Sequence, residues 1–259
     1  MNTDKRIEEF KRLLDIMDQL REKCPWDKEQ TNESLRTLTI EEVFELADAV
    51  QAQNAAEIKK ELGDILLHIV FYAKIGEENQ QFDIGDVLKS INEKLIYRHP
   101  HIFSDVSVSD AREVERNWEK IKLSEGRKKT VLGGIPSAMP AMIKAYRMQD
   151  KARGVGFDWE HKEQVWDKVN EELLELRHEI ENQDAANTEK EFGDLLFAVI
   201  NAARLYGVNP ENALEKTNQK FKKRFEFLES QTLQHGLNMK SMSLDEMDKF
   251  WNEAKKRGM

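Results

Sequence analysis

The chain contains one sequence pattern twice, and this duplication constrains its fold more than any other feature. Two acidic blocks recur 130 positions later in the same order. The first block, Glu41-Glu42-Val43-Phe44-Glu45, recurs as Glu171-Glu172-Leu173-Leu174-Glu175. The second block, Glu61-Leu62-Gly63-Asp64, recurs as Glu191-Phe192-Gly193-Asp194. A trio of polar residues follows each pair of blocks, namely Asn92, Lys94 and Arg98, then Asn218, Lys220 and Arg224. A tryptophan closes each copy, Trp118 and Trp251. We therefore predict two structurally equivalent repeats.

The apolar residues of both copies recur with helical spacing, and the chain has only 12 Gly and 5 Pro in 259 residues. Such a composition is typical of a mostly helical protein. The richest Gly/Pro stretch runs from Gly133 to Pro140 and predicts a linker or turn. We predict an all-α fold of two tandem helical-bundle repeats, residues 1–132 and 143–259, joined by a linker at 133–142.

The charge balance argues against a partner with a polyanionic surface. The chain carries 40 basic and 49 acidic residues, a net charge of −9, so polymeric nucleic acid is an unexpected partner. A single cysteine, Cys24, excludes an internal disulfide. The longest strongly apolar stretch, residues 65–73, is about half of what a membrane span needs. We therefore expect a soluble, cytoplasmic protein that does not bind membranes.

The acidic blocks predict a metal site in each copy. At about 100° per residue, Glu41, Glu42 and Glu45 lie on one sector of their helix. Glu61 and Asp64 lie on a second helix that is apolar in nearly every other direction, so we expect it to be buried. The spacing between the blocks suits two antiparallel helices joined by a short turn, which would bring the carboxylates face to face. Clustered carboxylates away from water either take up protons or bind cations. Oxygen ligands favour Mg²⁺, with Mn²⁺ as a second candidate.

Two alternative functions are consistent with the same residues. A di-iron carboxylate bundle needs Glu-x-x-His on two helices, but only Glu175 with His178 fits, and Asp48 occupies the corresponding position of the first copy. A non-catalytic helical interaction protein would leave the acidic residues solvated. His68, whose counterpart is Ala198, is interpreted as a local polar residue or as one that supports a ligand.

The basic residues downstream of each acidic set suggest contacts with phosphate. Lys94 and Arg98 are four residues apart on one helical face, as are Lys220 and Arg224. Lys168 occurs only in the second copy, where the first has Leu38. Trp118 and Trp251 could stack on a base or pack in the core. The stretches Cys24–Thr31 and Gly156–Trp159 differ between the copies and are candidates for a difference in base preference.

Taken together, these motifs closely resemble the two-copy bacterial form of the MazG family of nucleoside triphosphate pyrophosphohydrolases. The resemblance covers nearly the whole chain, including Cys24-Pro25-Trp26-Asp27, the segment 97–103 and the segment 154–159. It implies an all-α homodimer that hydrolyses nucleoside triphosphates to monophosphate and pyrophosphate with Mg²⁺, has broad base tolerance and removes non-standard nucleotides. In some members of the family only the second copy is catalytic.

The resemblance also implies roles for individual residues. The metal ligands would be Glu172, Glu175, Glu191 and Asp194 in the second copy, and Glu42, Glu45, Glu61 and Asp64 in the first. Phosphate and nucleotide contacts would come from Lys168, Glu171, Lys220, Arg224 and Trp251, and in the first copy from Lys94, Arg98, Trp118 and Lys120. The catalytic set would be Glu171, Glu172, Lys220 and Arg224, with Glu41 as the first copy's counterpart of Glu171. Glu171 or Glu41 would activate the water, while Lys220 and Arg224 would stabilise the leaving pyrophosphate.

Overall fold

A computed structural model of the chain describes residues 4–104, 106–108, 110, 113–114, 117–118, 121 and 130–259. Its contacts divide the chain into two compact units, unit 1 (1–110) and unit 2 (111–259). No strand occurs among the described residues, so the predicted all-α fold is confirmed. Residues 131–134 and 137–138, within and beside the predicted linker, form turns.

The helices of unit 1 are α1 (Lys5–Lys23), α2 (Pro25–Glu29), α3 (Asn32–Gln51), α4 (Ala55–Glu78), α5 (Ile84–Arg98) and α6 (Pro100–Phe103). The helices of unit 2 are α7 (Ala141–Arg153), α8 (Val165–Glu181), α9 (Ala185–Leu205), α10 (Pro210–Gln234) and α11 (Leu244–Lys256), with short 3₁₀ turns at Lys162–Gln164 and Met239–Ser241. The most extensive packing within each unit is between α3 and α4 and between α8 and α9.

These two helix pairs are hairpins with the same turn chemistry. In the first, Gln53 adopts a left-handed conformation (φ 53°), and the Asn54 side chain then caps α4 by accepting from Ala56 N and Glu57 N. In the second, Gln183 (φ 56°) and the Asp184 side chain repeat this arrangement. A reversal this short makes each pair antiparallel, so the predicted hairpins are confirmed.

The cores of the two units are made of different residues. Unit 1 packs a cluster of apolar side chains from α1, α3 and α4, namely Met17, Leu35, Val70, Phe71 and Ile75. Unit 2 buries apolar side chains from its helices, among them Val165, Leu176, Ala198, Ile200, Ala202, Phe227, Leu228 and Ala254. Each unit therefore has buried apolar residues of its own.

The expectation that α4 and α9 are buried all round is wrong for this chain. Leu62 and Leu66 of α4 are exposed, and so are Phe192, Leu196 and Val199 of α9. Among the described residues, the helices that pack on α4 and α9 leave these apolar side chains exposed.

Candidate functional site

The helical hairpin of unit 2 brings three of the predicted carboxylates together. Glu172 and Glu175 are one turn apart on α8, and Glu191 extends from α9. One carboxylate oxygen from each lies within 4.8 Å of the others. Because the antiparallel pairing sets these helices side by side, three negative charges share one small volume.

The cluster has the properties of a site for a hard cation. Glu172 and Glu191 are buried, and Glu191 is only 7% exposed. Its Oε1 accepts from Lys190, but its Oε2 is buried without a hydrogen-bond partner among the described residues. A buried ionised oxygen without a partner is costly, and a divalent ion with oxygen ligands satisfies it directly. The residues present therefore fit Mg²⁺ or Mn²⁺.

Unit 1 repeats this cluster with Glu42, Glu45 and Glu61, whose oxygens also lie within 4.8 Å of one another. Glu61 is 3% exposed, and its Oε2 likewise has no partner in the described chain. Burial raises the pKa of Glu42, and the charges of Asp64 and Glu45 raise it further. In both copies, three carboxylates thus lie close together and one buried carboxylate oxygen lacks a hydrogen-bond partner in the described chain.

The predicted fourth ligands, Asp64 and Asp194, lie at the edge of each cluster rather than within it. Both side chains are substantially exposed. Each is connected to the buried glutamate through a lysine, since Lys190 Nζ lies 2.8 Å from Glu191 and 3.6 Å from Asp194. The geometry brings three of the four predicted ligands together in each unit, and the aspartates adjoin them.

Sequence reasoning missed these two lysines, although the duplication marks them. Lys60 precedes Glu61 as Lys190 precedes Glu191, at the same offset of 130. Lys60 Nζ lies 2.8 Å from Glu61 and 3.7 Å from Glu45. The hydrogen bond to Glu61 raises the pKa of Lys60, and the bond to Glu191 raises that of Lys190. Each ammonium therefore offsets part of the repulsion in its cluster.

Lys168 places a second positive charge at the cluster of unit 2, beside that of Lys190. Its Nζ lies 2.6 Å from Glu172 and 2.8 Å from Glu171, and hydrogen bonds to these carboxylates raise its pKa. Glu171 is exposed, as is its counterpart Glu41. The carboxylate proposed to activate water is therefore within reach of solvent and beside a cation.

A cavity of about 680 Å³ opens next to this cluster in unit 2. Lys168, Glu172 and Asp194 form its charged side. The rest of its wall is largely apolar and includes Met148, Ala152, Phe157, Trp159, Val165, Phe197 and Ala198. A concave site with an apolar interior and a few converging polar groups is typical of a small-molecule pocket.

In unit 1 two of the corresponding positions carry larger side chains and a third lacks the lysine. Counted at the offset of 130, Phe71 corresponds to Asn201, Leu38 to Lys168 and His68 to Ala198. Phe71 belongs to the buried core and Leu38 packs against it. The ring of His68 is buried, with Nδ1 2.7 Å from the Thr39 hydroxyl, and burial lowers its pKa. His68 thus acts as a local polar residue of the core, as one of its two interpretations predicted.

The downstream cations of unit 2 lie on α10, and one of them contacts α11. The guanidinium of Arg224 lies 5.7 Å from the ring centre of Trp251, and its Nε donates to Met259 O. Trp251 also packs against Phe221, with ring centres 5.0 Å apart. Lys220 is exposed. Within the described chain, neither Lys220 nor Arg224 forms an ion pair with the acidic cluster.

The remaining predicted residues of the first copy are dispersed. Lys94 is exposed on α5 beside Phe82 and Asp86, and Arg98 lies in the last turn of that helix. Trp118 is about one-third exposed. Lys120 lies outside the described residues. The proposed contacts of this set with nucleotide stay a prediction.

The rival di-iron arrangement finds no support in the cluster of unit 2. Its three ligand candidates are all glutamates, and His178 lies exposed on α8. A di-iron carboxylate site of the bundle type needs histidine as well.

No helix in the described ranges is long and apolar enough to span a bilayer.

Comparison with known proteins identifies the domain in both units. Residues 30–103 and 160–227 each match the MazG nucleotide pyrophosphohydrolase domain. The chain is 43% identical over 250 residues to the nucleoside triphosphate pyrophosphohydrolase/pyrophosphatase MazG of Thermotoga maritima, covering 95% of each protein. It is 40% identical over 259 residues to the nucleoside triphosphate pyrophosphohydrolase of Escherichia coli K12, covering 97% of this chain and 98% of that protein. It is also 44% identical to the uncharacterized protein YabN of Bacillus subtilis, of which it covers 52%.

Proposed function

This chain belongs to the MazG family and is a nucleoside triphosphate pyrophosphohydrolase, and we propose that it hydrolyses a broad range of nucleoside triphosphates to monophosphate and pyrophosphate in a Mg²⁺-dependent reaction carried out by unit 2. The observation that carries this proposal is the buried, unpartnered Oε2 of Glu191 in a three-glutamate cluster beside a 680 Å³ cavity.

Glu172, Glu175 and Glu191 would hold the cation, with Asp194 at its edge. Bound there, Mg²⁺ or Mn²⁺ would supply Lewis-acid neutralisation of the triphosphate charge. This arrangement also explains how a protein of net charge −9 can bind a polyanionic substrate. The positive charge of Lys168 adds to the attraction at the mouth of the cavity.

The remaining steps fall to side chains of the protein. Glu171 is exposed next to the cluster and would orient a water molecule and accept its proton. Its hydrogen bond with Lys168 holds the carboxylate in place. Arg224 and Lys220 would stabilise the departing pyrophosphate, and Trp251 holds the Arg224 guanidinium against its ring.

We assign catalysis to unit 2 because the carboxylates of unit 1 adjoin a smaller space of about 310 Å³, which Glu45, Ala49 and Glu61 help to line. In unit 1, Leu38 replaces the lysine at the cavity mouth, and Phe71 belongs to the packed core. The smaller space and the missing lysine disfavour positioning of a triphosphate for attack, so Glu41 would not serve as a base.

We further propose that the enzyme is a homodimer. Both units expose large apolar residues on the helices that carry the acidic motifs, including Leu62 and Leu66 in unit 1 and Leu174, Phe192 and Leu196 in unit 2. Exposed apolar patches of this kind are typical of protein–protein contacts. Sedimentation at micromolar concentration would test this, and a monomer would contradict it.

The reaction is tested by incubating the chain with a panel of nucleoside triphosphates and Mg²⁺ and identifying the products. We expect monophosphate and pyrophosphate, and release of diphosphate and orthophosphate would refute the reaction class. Glu172→Gln and Glu42→Gln form a matched pair of variants. The first should abolish turnover and the second should leave most of it. Metal analysis and a visible absorption spectrum distinguish this enzyme from a di-iron protein.

A further inference from the structure

The cavity of unit 2 contains two side-chain amides in an otherwise mostly apolar wall. Gln149 comes from α7 and Asn201 from α9. Gln149 is 7% exposed and is the buried residue of its helix. A buried amide is stable only when its polar atoms are paired, so the partners of these two groups show what the cavity requires.

The orientation of Gln149 is fixed by a backbone carbonyl. Its Nε2 donates to the carbonyl oxygen of Phe197 at 2.9 Å. A carbonyl oxygen only accepts hydrogen bonds, so the amide nitrogen must lie on that side. The other end of the amide is then Oε1, which is buried and has no partner within the described part of the chain. A side chain that lines the cavity thus carries a buried acceptor that no described group uses.

The orientation of Asn201 is fixed in the opposite sense. Its Oδ1 accepts from Arg204 at Nε (3.0 Å) and Nη2 (2.8 Å). A guanidinium only donates, so the oxygen must face Arg204 and Nδ2 remains as a donor. Arg204 is itself held by Asp158, which accepts from Nη1 at 3.0 Å. The two amides of the cavity wall therefore leave one acceptor and one donor for another partner.

We infer that Gln149 and Asn201 bind the hydrogen-bonding edge of the substrate's nucleobase, an inference that rests on the proposed function. Every standard base carries an N–H next to an acceptor, for example N6 and N1 in adenine or N3 and O4 in uracil. An acceptor–donor pair recognises this shared feature without selecting one base. Trp159 in the same wall supplies a face for stacking, which also tolerates every base.

This assignment accounts for the segment in which the two copies differ. Gly156–Trp159 contributes Phe157, Asp158 and Trp159 to the cavity wall, and Asp158 fixes Arg204 and through it Asn201. In unit 1 the position of Asn201 is occupied by Phe71, which cannot hydrogen-bond to a base. Asp158 and Arg204 are positioning residues, whereas Gln149 and Asn201 would touch the substrate.

The test removes one hydrogen bond in two ways, first by changing the substrate and then by changing the protein. Purine riboside triphosphate is ATP without its 6-amino group. It therefore lacks the N–H that would donate a hydrogen bond to Gln149 Oε1. For the unaltered chain we expect kcat/KM for this analogue to be about five- to tenfold below that for ATP, mainly through KM. In Gln149→Leu, kcat/KM for ATP should fall to that of the analogue, and the difference between the two substrates should disappear.

Two controls separate this result from other losses. Gln19→Leu, at an exposed position on α1 of unit 1, should keep the full difference between the substrates. Inhibition by inorganic tripolyphosphate, which has no base, should be the same in Gln149→Leu as in the unaltered chain. Equal kcat/KM for ATP and the analogue in the unaltered enzyme would overturn this inference while leaving the proposed reaction intact. Failure to hydrolyse any nucleoside triphosphate would instead overturn the proposed function.

Discussion

Removing the charge of Glu191 should stabilise the metal-free chain, contrary to the usual effect of altering a buried polar residue. At an effective dielectric constant of 20, two unit charges 4.8 Å apart repel by about 3.5 kcal/mol. Glu191 faces two such neighbours, whereas the exposed ammonium of Lys190, 2.8 Å away, is screened by water and offsets only part of this repulsion. We expect Glu191→Gln to be more stable by about 1 kcal/mol in EDTA.

Mg²⁺ should reverse this order. A cation at a hundred times its dissociation constant stabilises the folded state by about 2.7 kcal/mol. For a unit of this size, that corresponds to a rise of about 5–10 °C in Tm. The unaltered chain should show this rise, whereas Glu191→Gln lacks one of the three ligands and should show less than half of it. Thermal denaturation by circular dichroism, with EDTA and with Mg²⁺, measures both values.

Glu61→Gln is the matched control, because Glu61 has the same burial, the same lysine neighbour and the same unpartnered oxygen in unit 1. It should show the same stabilisation in EDTA but leave the response of the unit 2 cluster to Mg²⁺ unchanged. If Glu191→Gln were less stable than the unaltered chain in EDTA, and still gained the full rise with Mg²⁺, the electrostatic reasoning about this cluster would be refuted.

Three further predictions concern other contacts. Lys168→Leu, which copies the residue of unit 1, should lower kcat/KM about tenfold to a hundredfold in steady-state assays, and a fall of less than twofold would contradict a role in substrate binding. Arg204→Met should destabilise the chain by about 2 kcal/mol at pH 7. Burial raises the pKa of Asp158, but the hydrogen bond from the Arg204 guanidinium outweighs it and holds this pKa below its usual 3.8. The ion pair therefore stabilises the fold above pH 3.8, and this contribution is lost as the pH falls through the folded-state pKa of Asp158. In urea titrations, the loss of unfolding free energy in Arg204→Met should be larger at pH 7 than at pH 3. Equal losses at the two pH values would count against a stabilising ion pair. Gln53→Gly should raise stability by about 0.5 kcal/mol because glycine tolerates the left-handed turn, and a lower Tm would rule this out.

The carboxylate clusters were predictable from the sequence because they depend on local periodicity. The one-turn spacing of Glu172 and Glu175 and the short turn before α9 are both local features, and together they determine which side chains meet. The same reasoning extended to Lys190 would have found the neighbouring ammonium, since it recurs with Glu191. The exposure of Leu62 and Leu196 was not predicted, because periodicity shows that a helix side is apolar but not what covers it.

The cavity could not be predicted, because it depends on the combined size of side chains from separate helices. Ala198 and Asn201 leave a space in unit 2 where His68 and Phe71 fill unit 1, and none of these residues forms a motif. Gln149 lies far from the acidic blocks in sequence and gives no periodic signal. Its significance follows only from the carbonyl of Phe197, a contact made between α7 and α9.

The difference in packing between the units has a consequence for how each copy resists degradation. The core cluster of unit 1 is made of its own side chains and adjoins a cavity of only about 170 Å³. Unit 2 leaves about 680 Å³ open, and a nucleotide bound there as proposed would supply van der Waals contacts that the protein alone lacks. The substrate would then form a temporary part of the interior of unit 2, and a protease should cut that unit faster when nucleotides are scarce.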